Sequence, residues 1–368
     1  MKKQNGNIRN MHEETIEMRD ISDMWMEIWI AQNNYLIESK KSSRFKIYLN
    51  KLRKKPLFIW FISLIQILVF LVELIQSWLL TGSPIQLKPS FNPVIGPNVY
   101  LLIRMGARFS PCMHTISGIT DNNFYYFLCL NNTSLIEQKS CSLNDICGFN
   151  LSSPPNQWYR FIIPIFLHSG FIHIGFNLLT QLILGASMEN KNGSLRLLII
   201  YFISGIFGII IDGNFAPNGF VTVGCSGSLF GIIALYLVNI IYDWRNGISY
   251  EFITLIIDII INFCLGLLPS IGNFNHIGGF IMGFILSVTL LVQPSRFHFI
   301  KSWIWLILRF TFLIVAILLF IFSIENIYSR KIQCTWCKYL DCLPINNWCH
   351  IGYLKTNITI NSTLNTFY

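Results

Sequence analysis

Residues 57–80 read LFIWFISLIQILVFLVELIQSWLL, a run with one acidic residue and no basic one. An α-helix rises 1.5 Å per residue, so this run spans about 36 Å and can cross the ~30 Å hydrocarbon core of a bilayer. Six further apolar runs follow, at about 169–188, 195–212, 225–242, 252–268, 275–292 and 303–324. The sequence therefore predicts an all-α fold, a polytopic bundle of seven transmembrane helices.

The composition also indicates a membrane protein. Of the 368 residues, 53% are hydrophobic and 12% are charged, whereas a soluble domain carries about 25% charged residues. This excludes an ordinary soluble protein, a disordered chain and a disulfide-rich miniprotein. The net charge of +9 comes from basic residues that cluster beside apolar runs. We therefore predict a lipid bilayer as partner, with anionic lipid favoured, and no nucleic acid.

Basic residues set the predicted orientation. Eight of them lie between residues 40 and 55, directly before the first span, so the positive-inside rule places the N-terminus in the cytoplasm. Seven spans then put the C-terminus on the lumenal or extracellular side of a secretory-pathway or plasma membrane. The predicted segments are a cytoplasmic N-terminal segment (1–56), the first span (57–80), a lumenal or extracellular loop (81–160), a core of five spans (161–292), a cytoplasmic link with the seventh span (293–324) and a Cys-rich lumenal or extracellular tail (325–368).

Eight of the ten cysteines lie in the two segments predicted to face the oxidising side. They form two groups of four: Cys112, Cys129, Cys141 and Cys147, then Cys334, Cys337, Cys342 and Cys349. We expect disulfides, with three connectivities open in each group; zinc held by Cys334, Cys337, Cys349 and His350 is the alternative. The same segments contain sequons, which predict glycosylation, at Asn131, Asn132, Asn150, Asn357 and Asn361. The sequon at Asn192 is predicted to face the cytoplasm and to stay unmodified.

Polar residues inside apolar spans are costly and mark candidate functional sites. His173 and Asn177 share one face of the second span, Ser226 opens the fourth and His276 opens the sixth. The two histidines and the serine each precede the predicted cytoplasmic end of their span by 16 or 17 residues, or about 24–26 Å. They therefore lie at one depth, and together offer a nucleophile, a base and oxyanion donors. Glu73, inside the first span, is predicted to face the bundle.

Glycines predict how the serine and the histidine meet. The fourth span carries Gly227-x-x-x-Gly231, and the sixth carries Gly279-x-x-x-Gly283 on the face of His276. Small residues at this spacing let transmembrane helix backbones approach closely. Proton transfer from a serine to an imidazole needs a separation of about 2.6–3.2 Å, which bulky residues at these positions would prevent.

These motifs, taken in order, resemble those of the rhomboid intramembrane serine proteases, over about residues 155–292. The matching stretches are Trp158-Tyr159-Arg160, Phe166-Leu167-His168, His173-x-x-x-Asn177, Gly224-x-Ser226-Gly227-x-x-x-Gly231 and His276-x-x-Gly279-x-x-x-Gly283. The seventh span after a six-helix core is similar to the eukaryotic secretase-type members. The abundant Ile and Asn residues point towards an apicomplexan source.

The resemblance implies a Ser–His dyad without a third carboxylate. Ser226 would be the nucleophile and His276 its general base. The Asn177 amide, His173 and the backbone N–H of Ser226 would form the oxyanion hole. This chemistry requires no metal and no cofactor, and the sequence holds no convincing motif for either.

Other positions follow the family pattern less closely. Arg160 would organise the loop at the lumenal face, with a lipid-headgroup anchor as the alternative, and His168 would be structural. Tyr159 interrupts the family's Trp-Arg pair, and Asn275 stands where a small residue usually precedes the histidine. Asp258 lies unexpectedly within the fifth span, where a cytoplasm-side packing role is one interpretation.

The function implied is that of a serine endopeptidase that cleaves single-span transmembrane substrates near their lumenal or extracellular end. A substrate helix satisfies its own backbone hydrogen bonds, so it must unwind before cleavage. The main alternative is a rhomboid-like, non-proteolytic client-binding protein in membrane trafficking or quality control; such relatives typically lack the nucleophile or the base. A channel or transporter is disfavoured because paired intramembrane charges and internal repeats are missing from the sequence.

Overall fold

A computed structural model describes most of the predicted bundle. It covers residues 55–87, 92–116, 120, 126–129, 139–148, 155–243, 250–267, 272–291, 301–329, 334 and 336–341. In chain order the elements are α1 (Leu57–Thr81), α2 (Val99–Met105), α3 (Ser110–Met113), β1 (Tyr126–Cys129), β2 (Lys139–Ser142), α4 (Leu143–Cys147), α5 (Phe171–Asn192), α6 (Ser194–Phe215), α7 (Ser226–Asp243), α8 (Tyr250–Leu265), α9 (Asn273–Leu290), α10 (Ser302–Ser329) and α11 (Lys338–Asp341).

Each of the seven predicted spans forms a helix, which confirms the all-α membrane bundle. Within the described residues, α1, α5, α6, α9 and α10 are long and apolar enough to cross a membrane. The apolar stretch of α7, Ser226–Tyr242, is shorter, and α8 has 16 residues. The fifth span thus ends at Leu265, earlier than predicted. In α5, residues Gln181–Gly185 form one π-helical segment.

The core lies where α6, α7 and α9 pack together. In α9, 72% of the residues of the apolar stretch are buried inside the protein, against 11% in α10. The helix α9 is therefore central and α10 is peripheral. Side chains of all three central helices join one apolar cluster, among them Ile200, Leu229 and Met282.

Two buried carboxylates attach α1 to this core. Glu189, at the end of α5, accepts hydrogen bonds from the first backbone N–H groups of α1, on Phe58 and Ile59, at 2.9 Å each. These groups have no partner within their own helix, so Glu189 caps α1. Glu73 is fully buried and accepts a bond from the backbone N–H of His168 at 3.1 Å. The prediction that Glu73 faces the bundle is confirmed.

The segment 81–160, predicted as a long polar loop, is partly folded. Its helices α2, α3 and α4 share a small core that includes Ile103, Phe109 and Ile146. The strands β1 and β2 pair antiparallel within the same segment. A disulfide joins Cys112 to Cys147, and closing this loop removes unfolded-state entropy, which stabilises a compact arrangement that polarity alone does not reveal.

A second disulfide shapes the chain after α10. It joins Cys334 to Cys337, and Cys337 packs on a cluster that contains Phe274 of α9. The Asn273 side chain, at the start of α9, donates to Phe263 O at 3.1 Å and to Leu340 O at 2.9 Å. One amide therefore connects α8, α9 and the segment that follows α10. The prediction of disulfides in both segments is confirmed, and Cys334 and Cys337 are bonded to each other rather than arranged around zinc.

Several predictions concern residues outside the described part of the chain. These are the basic residues 40–54, the five sequons predicted to be glycosylated, Cys342, Cys349, His350, and the side chains of Cys129 and Cys141. Asn192 is described: its side chain is buried and donates to Met188 O at 3.1 Å.

Candidate active site

The backbone turns sharply into α7 at Gly224. Its φ is +110°, a conformation that L side chains rarely adopt. A Cβ at this position would lie 2.7 Å from His173 Nε2, so glycine is required both by conformation and by space. The Gly224 N–H donates to Pro164 O at 2.8 Å. This turn makes Ser226 the first residue of α7 and fixes the segment in front of it.

Ser226 and His276 are hydrogen-bonded. Ser226 Oγ lies 2.9 Å from His276 Nε2, within the range that proton transfer needs. The Phe230 ring, one turn along α7, stacks on the imidazole with centroids 4.4 Å apart and an interplanar angle of 16°. Among the described residues, His276 Nδ1 has no hydrogen-bond partner. For Ser226 Oγ to donate, the histidine must carry its proton on Nδ1.

Asn177 and His173 lie on the neighbouring helix α5. The Asn177 side-chain nitrogen is buried and, within the described residues, has no hydrogen-bond acceptor. A buried unpaired donor is costly, which favours a role in binding an oxygen atom that arrives with a ligand. His173 Nδ1 lies 2.8 Å from Ser169 Oγ, and its Nε2 faces Gly224. The structure thus brings all four predicted site residues to one end of the bundle.

A small cleft opens beside Ser226. Its cavity volume is about 20 Å³, which is room for about one water. Ser226 and Asn177 line the cleft together with residues that the sequence did not single out: Phe176, Thr180, Leu229, Phe230, Ile233 and Asn262. Of these, Asn262 also donates to Asp258 Oδ1 at 3.0 Å. Asp258 is therefore bonded within its own helix α8, four residues away.

The predicted glycine contact between α7 and α9 is confirmed. A Cβ at Gly279 would overlap with the Gly227 carbonyl, and a Cβ at Gly283 would overlap with the Gly231 Cα. Asn275, the residue that departs from the family pattern, occupies space that two glycines leave open. A Cβ at Gly227 or at Gly208 of α6 would overlap with its side-chain oxygen.

Arg160 organises the loop, as one of the two interpretations predicts. Its side chain is fully buried and donates to Ile103 O and Ala107 O at 2.7 Å each, and to Gln157 Oε1 at 2.7 Å. Burial lowers the pKa of this guanidinium to about 10, so it remains charged at neutral pH. The alternative, an anchor to lipid headgroups, is wrong because the group has no exposed surface.

His168 is also fully buried. Its Nε2 lies 3.8 Å from Cys225 Sγ, and its ring meets that of His173 with centroids 5.4 Å apart. Burial, reinforced by the neighbouring His173, lowers the pKa of His168 well below its ordinary value. A neutral, packed imidazole agrees with the structural role expected for this residue.

Comparison with known proteins identifies the family. A family model described as "Rhomboid domain" matches residues 155–293. The Rhomboid-type serine protease 2 of Emericella nidulans is 37% identical over 369 aligned residues, which cover 82% of this chain and 73% of that protein. The chain belongs to the rhomboid family.

One of the other relatives of this rhomboid is named as inactive. RHOMBOID-like protein 4 of Arabidopsis thaliana is 31% identical over 233 residues, or 58% of this chain and 59% of that protein. Inactive rhomboid protein 1 of Danio rerio is 34% identical over 221 residues, or 58% of this chain and 25% of that protein. Membership of the family therefore leaves activity to be decided from the residues of the site.

Proposed function

We propose that this rhomboid is an intramembrane serine endopeptidase. Its substrates would be single-span membrane proteins, cleaved near the lumenal or extracellular end of their transmembrane helix. The observation that carries the proposal is the 2.9 Å separation of Ser226 Oγ and His276 Nε2 beside a buried, unpaired Asn177 amide. The similarity to a protein named as a serine protease over most of the chain also supports it.

The proposed reaction begins with proton transfer. His276 Nε2 accepts the Ser226 hydroxyl proton while Oγ bonds to the carbonyl carbon of the scissile peptide. Negative charge then develops on the carbonyl oxygen, where the Asn177 amide, the Ser226 backbone N–H and His173 would stabilise it. His276 next gives the proton to the amine as the C–N bond breaks, leaving an ester on Ser226.

A water molecule completes the cycle. It gives a proton to His276 and bonds to the ester carbon, and Ser226 leaves with the proton returned by the histidine. The cleft beside Ser226 has space for about one water. The substrate must be locally extended to react, so transmembrane segments with helix-weakening Gly or Pro near the cleavage point should be preferred.

We also propose that the N-terminus is cytoplasmic and the C-terminus lumenal or extracellular. The cluster of basic residues before α1 supports this orientation. It would put the Ser226 end of α7 on the lumenal or extracellular side, because an odd number of spans separates α7 from the N-terminal segment.

The alternative function, non-proteolytic binding of membrane clients, is favoured by the likeness to Inactive rhomboid protein 1. Labelling with a serine-reactive fluorophosphonate separates the two. We expect wild-type protein in detergent to be labelled and Ser226→Ala not to be. Ser228→Ala is the matched control, since Ser228 is a buried serine on the same helix and should leave labelling intact. Absence of label on folded wild-type protein would favour the client-binding function.

A further inference from the structure

A second buried arginine lies close to the candidate site, and the proposed dyad does not account for it. Arg108 and Asp212 are both fully buried, and Arg108 Nε lies 3.2 Å from Asp212 Oδ2. The guanidinium also donates to Phe220 O at 2.9 Å and to Asp212 O at 2.5 Å. Burying an ion pair carries a large desolvation cost, so the pair is by itself weak evidence for a gain in stability.

The Arg108 backbone joins the same cluster. It pairs with Thr222 in an isolated antiparallel bridge, with both N···O distances at 3.1 Å. The Thr222 hydroxyl donates to Asp212 Oδ2 at 2.6 Å. Asp212 near the end of α6, Arg108 after α2 and Thr222 before α7 are thereby fixed to one another.

Thr222 lies four residues before Ser226. The segment between them is also held where the Gly224 N–H donates to Pro164 O and where Cys225 Sγ lies 3.8 Å from His168 Nε2. The segment cannot move towards α5, because Gly224 lies directly against the His173 ring. A shift at Thr222 is therefore passed along the backbone to the Ser226 N–H, which is one of the proposed oxyanion donors.

We infer that Arg108 is a positioning residue that, through Asp212 and Thr222, sets the place of the Ser226 backbone N–H relative to Asn177. This inference rests on the proposed function, since it assigns a role in the proposed hydrolysis. Oxyanion donors act on the transition state more than on bound substrate. Displacing one should lower kcat and leave KM nearly unchanged, and misplacement by ~1 Å can cost about 100-fold.

The test compares Arg108→Lys with Asn98→Ala in the full-length protein. Lysine keeps the charge but loses the planar fork that reaches two carbonyls and a carboxylate at once. Asn98 caps α2 in the same loop by accepting from the Tyr100 N–H at 2.9 Å, and within the described residues it makes no hydrogen bond to the Thr222 segment. Kinetics are measured on a cleavable transmembrane substrate and normalised to the fraction of protein that the fluorophosphonate labels.

We expect Arg108→Lys to lower kcat per labelled site by about 10-fold to 100-fold, with KM within about two-fold of wild type. Asn98→Ala should lower thermal stability and leave kcat per labelled site unchanged. Equal kcat for Arg108→Lys and wild type, or an equal loss in both variants, would overturn the inference. If Arg108→Lys does not fold, Thr222→Val decides in the same way, because it removes only the hydroxyl bond to Asp212.

Hydrogen exchange separates this inference from the proposed function. Amides of residues 222–226 should exchange faster in Arg108→Lys than in wild type, and Asn98→Ala should not change them. If wild-type protein is neither labelled nor active, the proposed function fails. The exchange result still shows whether Arg108 holds residues 222–226 in place.

Discussion

At the scale of single residues, Asn177 carries the sharpest prediction. Its side-chain nitrogen is buried without an acceptor among the described residues, and it lines the cleft with Ser226. Removing one oxyanion donor costs about 2.7–4 kcal/mol of transition-state stabilisation, or roughly 10²–10³ in rate. We expect Asn177→Ala to lose activity by this factor but to keep a measurable remaining rate, since the backbone N–H of Ser226 persists. Turnover of the purified variant in liposomes measures the loss.

Asn192→Ala is the matched control for that variant. Asn192 is a buried asparagine on the same helix α5, bonded to Met188 O. It should leave kcat close to wild type even if it lowers stability. Equal rates for Asn177→Ala and wild type would mean that Asn177 is structural and that the oxyanion is stabilised elsewhere.

That the site residues meet at one end of the bundle could be predicted because helices translate sequence spacing into depth. Ser226, His276 and His173 lie 16 or 17 residues from the predicted cytoplasmic ends of their spans, and the rise of an α-helix does not depend on tertiary contacts. Arg108 could not be found in this way. Its partner Asp212 is 104 residues away, and a pairing at that distance depends on how the intervening loop and the helices α5 and α6 fold.

At the scale of helices, the contact of α7 with α9 is between backbones. A Cβ at Gly279 would overlap with the Gly227 carbonyl, so even alanine must push the two helices apart. We expect Gly279→Ala to separate Ser226 from His276 and to lower activity by about 100-fold, the cost of a misplacement near 1 Å. The measurements are turnover and fluorophosphonate labelling, with size-exclusion chromatography to show that the protein remains folded.

Gly175→Ala serves as the control for this substitution. Gly175 is a helical glycine of α5, where a Cβ would meet no atom of the described residues within 4 Å. Alanine there should be neutral or slightly stabilising because it restricts the unfolded chain. Wild-type activity in Gly279→Ala would show that the dyad does not depend on this close approach.

The sequence predicted this helix contact correctly but not the fold of segment 81–160. The glycine spacing carries a direct steric meaning, whereas the Cys112–Cys147 pairing was one of several connectivities that four cysteines allow. Polarity marked the segment as lying outside the membrane, and it does not report the small core around Phe109. Hydropathy likewise placed the end of α8 at residue 268 instead of Leu265, because it does not register where backbone hydrogen bonding stops.

At the scale of the whole molecule, orientation is the property to test first. We expect a tag at the N-terminus to be accessible from the cytoplasmic side and a tag at the C-terminus to be protected in sealed vesicles of secretory-pathway membrane. Seven spans and the basic residues before α1 lead to this result. Protease protection of both tags, before and after the vesicles are opened with detergent, measures it. Finding both termini on the same side would contradict the prediction, because it requires an even number of spans.

The chain beyond α10 belongs to the same whole-molecule scale. We expect a protein truncated after Ser329 to insert normally but to be roughly ten-fold less active, because it loses the Leu340 carbonyl and the packing of Cys337 against Phe274. Asn273→Ala in the full-length chain removes the same hydrogen bond and should change activity in the same direction. Full activity of the truncated protein would make this segment dispensable.

The Asn273 amide also shows that contacts at the start of α9 extend beyond the matched rhomboid domain. The stretch recognisable as a rhomboid domain ends at residue 293, yet the first residue of α9, three before His276, is bonded to a carbonyl at residue 340. The whole span α10, which faces mostly lipid, lies between these two positions in the chain. A domain cut out along the limits of sequence similarity would therefore keep Ser226 and His276, the proposed nucleophile and base, and would lose one of the contacts at the start of α9. The family match therefore ends about fifty residues before the last described contact that holds α9 at its start.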